Sequence, residues 1–177
     1  ALADLGLDLL HITPLQRVVT LLPKFVKVAL SLIFAKLRLW PLDVLALMYL
    51  SFVTYGSISH DLVHRTLGLP RRWNEVFLTV IELLAFRSGH AYRVAHLHHH
   101  ARFPHEDDIE GAAARMSFSR SLVEGMIFQP RIMLWAALRR HRGRSLVIFE
   151  ESLVLLLLGL CIASAWATPI FAVYAVL

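Results

Sequence analysis

Apolar positions in this chain fall in long blocks and helical stripes, not in the period of two that marks strands, so the expected fold is all-helical. Residues 1–20 read as a short amphipathic lead-in punctuated by Pro14. Phe25 to Trp40 is apolar, with Lys24, Lys27, Lys36 and Arg38 near its ends. It is a weak first span whose lysines would have to snorkel, or a segment lying in the interface. Pro41 opens a stronger span, LDVLALMYLSFVTYGSIS. At about 1.5 Å per residue, Leu42 to His60 covers roughly 27 Å and nearly crosses a hydrocarbon core.

After the turn RTLGLPRR, the stretch WNEVFLTVIELLAF sets Trp73, Phe77, Ile81 and Leu84 along one side and Glu75, Thr79 and Glu82 along another, the pattern of a helix lying on a membrane surface. Asn74 is expected to cap it. Residues 87–115 are polar. Residues 117–142 read as two more surface helices separated at Pro130, and the second ends in RRHRGR, a lipid-facing basic patch. Trp73 and Trp135 read as interface anchors. Leu146–Leu160 and Ala163–Leu177 form an apolar hairpin whose second arm is incomplete, and the spans look nearly free of charge after Asp43.

Composition supports a membrane setting. Hydrophobic residues make up 57% of the 177 and charged residues 18%, against about 45–50% and about 25% in soluble domains. The net charge of +5 does not indicate nucleic acid, because the cations sit between apolar segments and do not interleave with a polar, aromatic face. Thirteen of the 18 Lys and Arg lie between Arg65 and Arg144, which by the positive-inside rule makes that block cytoplasmic. No signal peptide is visible. The single cysteine, Cys161, excludes an intramolecular disulfide and a Cys-based metal site.

The candidate chemistry is in the histidines. HAYRVAHLHHHARFPHEDD, residues 90–108, holds six. At about 100° per residue, His99 and His100 fall roughly 60° and 40° to either side of His96, while His98 points away. Upstream, in HDLVH, His60 and His64 are an i, i+4 pair on one helical face. Five imidazoles on two helix faces suit zinc, copper, iron or nickel, and five exceed the needs of one ion. Asp61, Asp107 and Asp108 are placed to take the second N–H of a ligating ring. His90, His98 and His105 are expected to be solvated or locally hydrogen-bonded.

HDLVH and HLHHH resemble the first two histidine boxes, HDxxH and HxxHH, of the membrane fatty acid desaturase superfamily, and DDIEG resembles its DDPEG with Ile109 in place of proline. The resemblance covers about residues 41–177. It implies two iron ions held by His60, His64, His96, His99 and His100, dioxygen, a membrane lipid or acyl chain as substrate, and electrons from a ferredoxin- or cytochrome b5-like donor. The implied activity is an acyl-lipid or acyl-CoA desaturase. A carotenoid hydroxylase or ketolase of the same superfamily is the nearest rival, and a non-redox membrane metal-binding or transport protein is the rival from another class. The expected architecture is a single multi-pass membrane domain. Residues 1–40 are lead-in and weak span, 41–64 a span and the first box, 65–144 a cytoplasmic region with interfacial helices and the second box, and 145–177 a second hairpin. The superfamily's third box is not seen before Leu177, so the reading is of a C-terminally truncated chain, inactive alone.

Overall fold

The structure is a computed structural model and describes residues 12–53 and 57–176. Every regular element among them is helical: α1 Pro14–Lys36, α2 Trp40–Val53, α3 Ser59–His64, α4 Arg71–Leu83, α5 Gly89–Arg102, α6 Phe118–Leu138, α7 Arg144–Ala163 and α8 Ile170–Val176, with short 3-10 turns at Gly111–Arg115 and Ser164–Trp166. The chain divides into two packed units, Ala1–Ile81 with Leu160–Leu177, and Glu82–Gly159.

In the first unit, α1 packs on α2 and on α8. Thr13 starts α1 with a capping box closed by Gln16, and Pro14 occupies the first turn, where its missing N–H costs nothing. The buried positions of α1 are Leu21, Lys24, Ser31 and Ala35, a heptad-like stripe. They meet Asp43, Leu47 and Leu50, the buried positions among the described side chains of α2. Lys24 Nζ donates to Leu50 O at 3.3 Å, and Ser31 Oγ donates to Asp43. These two pairs fix an antiparallel register.

This arrangement corrects the expected first span. The helix runs from Pro14 to Lys36, not from Phe25 to Trp40, and is long and apolar enough to cross a membrane. Lys24 does not mark an end, because the seam with α2 supplies its nitrogen with a partner. The break falls where Arg38 adopts a left-handed backbone (φ 60°). The described part of α2 is one of the shorter apolar helices. The expected span Leu42–His60 runs through residues 54–56, and the amphipathic lead-in through residues 1–11, both outside the described residues.

In the second unit, Ala91 and Ala95 of α5, Ile132 and Ala136 of α6, and Val147 of α7 form the core. Three alanines let the backbones approach closely. α6 is one helix through Pro130, not two helices parted there. Proline removes one donor, but ending the helix there would leave several more backbone groups without helical partners. The same holds for Pro23 in α1.

α7 with the turn after it, Arg144–Trp166, is the second helix long and apolar enough to cross a membrane. It is not free of charge: Glu150 is fully buried, and Glu151 follows it. The last arm begins at Ile170 rather than Ala163, because Thr168 O and N groups and Pro169 complete a turn first, with Thr168 N donating to Ser164 O.

Candidate metal centre

The first box is α3. Its six residues carry His60 and His64 on one side, with ring centroids 4.5 Å apart. Ligand nitrogens of the two come within 4.8 Å of each other. The helix stops at Arg65, whose backbone is left-handed (φ 58°) and whose guanidinium pairs with Glu75 at 3.0 Å. Asp61 helps close this end. Its Oδ1 accepts from the Thr66 hydroxyl at 3.0 Å, and its carbonyl accepts from Thr66 N–H.

Asn74 corrects an expectation. It lies inside α4, fully buried, and does not cap it. Its amide donates to Leu62 O at 2.8 Å, so it caps the end of α3 instead, satisfying a carbonyl that a six-residue helix leaves over. The buried side of α4 is Asn74, Leu78, Ile81 and Glu82, while Trp73 is exposed. Glu82 turns inward because Arg87 meets it at 2.8 Å.

The second box is α5, opened by Ser88, whose hydroxyl accepts from Ala91 N–H. His96 is buried. Its Nδ1 is 2.9 and 3.0 Å from the two oxygens of Glu110, and its Nε2 lies 3.1 Å from His100 Nε2. His99 Nδ1 lies 2.8 Å from Asp108 Oδ2. The His99 ring is 6.1 Å from His96 and 5.8 Å from His100. His98 does point elsewhere: Nε2 lies 3.2 Å from Asp107 O, and the ring is 5.0 Å from Trp135. His105 sits in the exposed turn after α5.

These contacts decide the donor chemistry. A carboxylate facing Nδ1 holds the proton there, which leaves Nε2 as the lone-pair nitrogen. His96 with Glu110 and His99 with Asp108 are such pairs. The donor set is imidazole nitrogen backed by carboxylate, which fits iron, zinc or copper and not calcium or magnesium.

Asp108 also accepts from Glu110 N–H and Gly111 N–H at 3.1 and 3.0 Å. Burial works to raise its carboxyl, but the Gly111 N–H, the His99 ring and the Glu110 N–H outweigh it and hold it below the ordinary carboxylate range. Asp107 faces outward to Arg102, whose hydrogen bond lowers its carboxyl. Burial, then the charges of Glu110 and Glu82, push the Tyr92 phenol far above its usual value, so it stays a neutral neighbour of His96 at 5.3 Å.

Gly111 is required by this packing. A methyl there would run into the Asp108 carboxylate, with Asp108 Cγ 3.1 Å and Phe103 Cδ2 3.3 Å away. Asp108 is fully buried and cannot yield. Gly111→Ala is therefore expected to cost about 1–3 kcal/mol and to break the His99–Asp108 bond. The His99 ring resonances in the variant check this, and an unchanged Nδ1–H signal would contradict it.

Against this geometry, the family model described as fatty acid desaturase matches residues 38–177, most of the chain and both boxes. The chain belongs to the fatty acid desaturase family. Among curated proteins and among solved structures, none matches.

Family membership makes a desaturase-type oxidoreductase function the coarse assignment. Two residues escaped the sequence reading, and a third, Asn74, was given another role. Glu110, on His96, was visible in the desaturase-like DDIEG but carried no assigned role. Glu150, whose Oε2 accepts from Ser88 Oγ and His90 N–H at 2.7 and 3.0 Å and whose Oε1 lies 2.7 Å from His90 Nδ1, was signalled by a carboxylate inside an apolar run. Asn74, on Leu62, had no sequence signal that distinguishes it from an ordinary cap.

Proposed function

We propose that this desaturase-family chain forms the membrane domain of an iron- and dioxygen-dependent enzyme that places a double bond in the acyl chain of a lipid or acyl-CoA. The observation that carries the reading is the carboxylate-backed imidazole pair of α5, His96 with Glu110 and His99 with Asp108, in a family whose boxes are iron ligands. His60, His64, His96, His99 and His100 would hold iron, with Glu110 and Asp108 fixing the tautomers and offsetting the positive charge of the site. Bound iron would supply the activation of dioxygen.

In the overall change two C–H bonds break and one C=C forms. Dioxygen takes two electrons and two protons from the acyl chain, two electrons from an external donor protein and two protons from solvent, and leaves as two waters. The chain's own residues position and orient. α3 and α5 set the rings, Ser88 and Glu150 hold the start of α5, and the buried Tyr92 keeps an uncharged neighbour beside His96. A multi-pass topology with both boxes on the cytoplasmic side accompanies this reading. It is supported by the concentration of cations between Arg65 and Arg144, and it opens the site to a water-borne donor and a bilayer-borne substrate.

The test is expression from the full reading frame in a host with a competent electron donor, followed by analysis of fatty acids and carotenoids. New acyl double bonds, lost on removal of iron by a chelator, are the expected result. Oxygenated carotenoids with unchanged acyl chains would replace the substrate assignment, and zinc at stoichiometric level in active enzyme would remove the iron one.

A further inference from the structure

The junction between α6 and α7 has a composition the proposed chemistry does not use. α6 buries Glu124, Ile132 and Ala136 on one side. Its opposite side presents Leu122, Met126, Leu134 and Leu138, exposed by 60–82%. α7 begins at Arg144 as a candidate membrane span, with Phe149, Leu155 and Leu156 exposed. Two apolar faces therefore meet at residues 139–144, and an apolar solvent suits both of them.

The connection RRHRGR holds four arginines, and no acid follows until Glu150, which is buried and engaged by Ser88 and His90. Its backbone is pinned. His141 has its ring nitrogens at Ala136 O (3.1 Å) and Arg142 O (2.9 Å), Arg144 Nε donates to Ala137 O at 2.6 Å, and Gly143 turns the chain at φ 88°. Arg139 lies over the Trp135 ring, 4.3 Å from its centroid. Arg140 and Arg142 are left exposed, and no described residue pairs with them. Glu106, Asp107 and Asp108 line a groove with Trp135 and Leu138; Asp107 is occupied by Arg102 and Asp108 by His99.

We propose that Arg140 and Arg142 bind the phosphate of an anionic phospholipid, whose acyl chains lie along the exposed faces of α6 and α7. A membrane lipid is the occupant, because a span that starts at Arg144 sets these two guanidinium groups at the level of the lipid phosphates. Two forks on one short, pinned turn suit the oxygens of a phosphate. Trp135, with Arg139 on one side and His98 5.0 Å away, sits in the belt position where indoles anchor. The preference for negative headgroups follows from Arg140 and Arg142 having no ion pair with a carboxylate among the described residues; a zwitterionic headgroup would bring its own cation into the cluster.

The test uses purified full-length protein in a neutral detergent, with thermal unfolding followed on addition of phosphatidylglycerol, phosphatidylcholine or inorganic phosphate. Phosphatidylglycerol is expected to raise the unfolding temperature by several degrees, an effect that fades with added salt, while the other two leave it unchanged. The double variant Arg140→Gln/Arg142→Gln should keep the wild-type unfolding temperature in phosphatidylcholine and lose the phosphatidylglycerol shift. Arg71→Gln/Arg72→Gln, with the same change of net charge at another exposed site, should keep it. Equal shifts with both lipids, an equal shift with inorganic phosphate, or equal loss in the Arg71/Arg72 variant would each overturn the proposal.

Discussion

Alanine at His96 or His100 is expected to bring acyl desaturation to background and to cut bound iron sharply, while alanine at His98 leaves both within a few-fold of wild type. The difference lies in where the rings point. His96 and His100 bring their Nε2 atoms to 3.1 Å, while His98 turns to Asp107 O and Trp135. Glu110→Gln should be intermediate. It keeps the shape but replaces a charged acceptor on His96 Nδ1 with a weaker one, and losing such a partner costs about 10- to 100-fold in metal affinity. Metal analysis of purified variants beside lipid product analysis reads both effects. If His98→Ala were as inactive and as metal-poor as His100→Ala, the helical reading of the second box would fail.

Glu150→Ala should destabilise the protein by about 3 kcal/mol, the range expected when one partner of a buried, charge-assisted cluster is removed. The carboxylate is fully buried and faces three groups at 2.7, 3.0 and 2.7 Å: Ser88 Oγ, His90 N–H and His90 Nδ1. Without it Ser88 Oγ and His90 N–H lose the acceptor they share. Ser152→Ala, on the same helix but exposed and bonded only to Ile148 O, should change stability by less than about 0.5 kcal/mol. Unfolding of the two variants in one detergent compares them directly, and near-equal midpoints would show that Glu150 does not secure α5.

The parts of the site written in local spacing were legible in the sequence. The i, i+4 pair of α3, the common face of His96 and His100 and the separate direction of His98 follow from helical periodicity alone. So did the helical class and the second span. What was not legible depends on distant partners. Glu110 is 14 residues from His96 and Glu150 is 60 from His90, and no periodicity links them. Asn74 looked like a cap for its own helix because its use on Leu62 exists only after packing. The helix ends were misjudged at Lys24 and Pro130. Charge and proline break helices in water, but in apolar surroundings an intact backbone ladder outweighs both.

The cluster of Ser88, His90 and Glu150 joins α5 to the span α7. Glu150 lies six residues beyond Arg144, roughly 9 Å along that helix. In the membrane setting of the proposed function, the height of the second box above the bilayer is thereby tied to the tilt and immersion of α7. A thinner or thicker bilayer changes that tilt, and α5 moves with it. If the proposed function holds, bilayer thickness is then a mechanical input to the spacing between the box and any carbon counted from the membrane surface, and the regiochemistry of the proposed acyl substrate becomes a property of protein and membrane together.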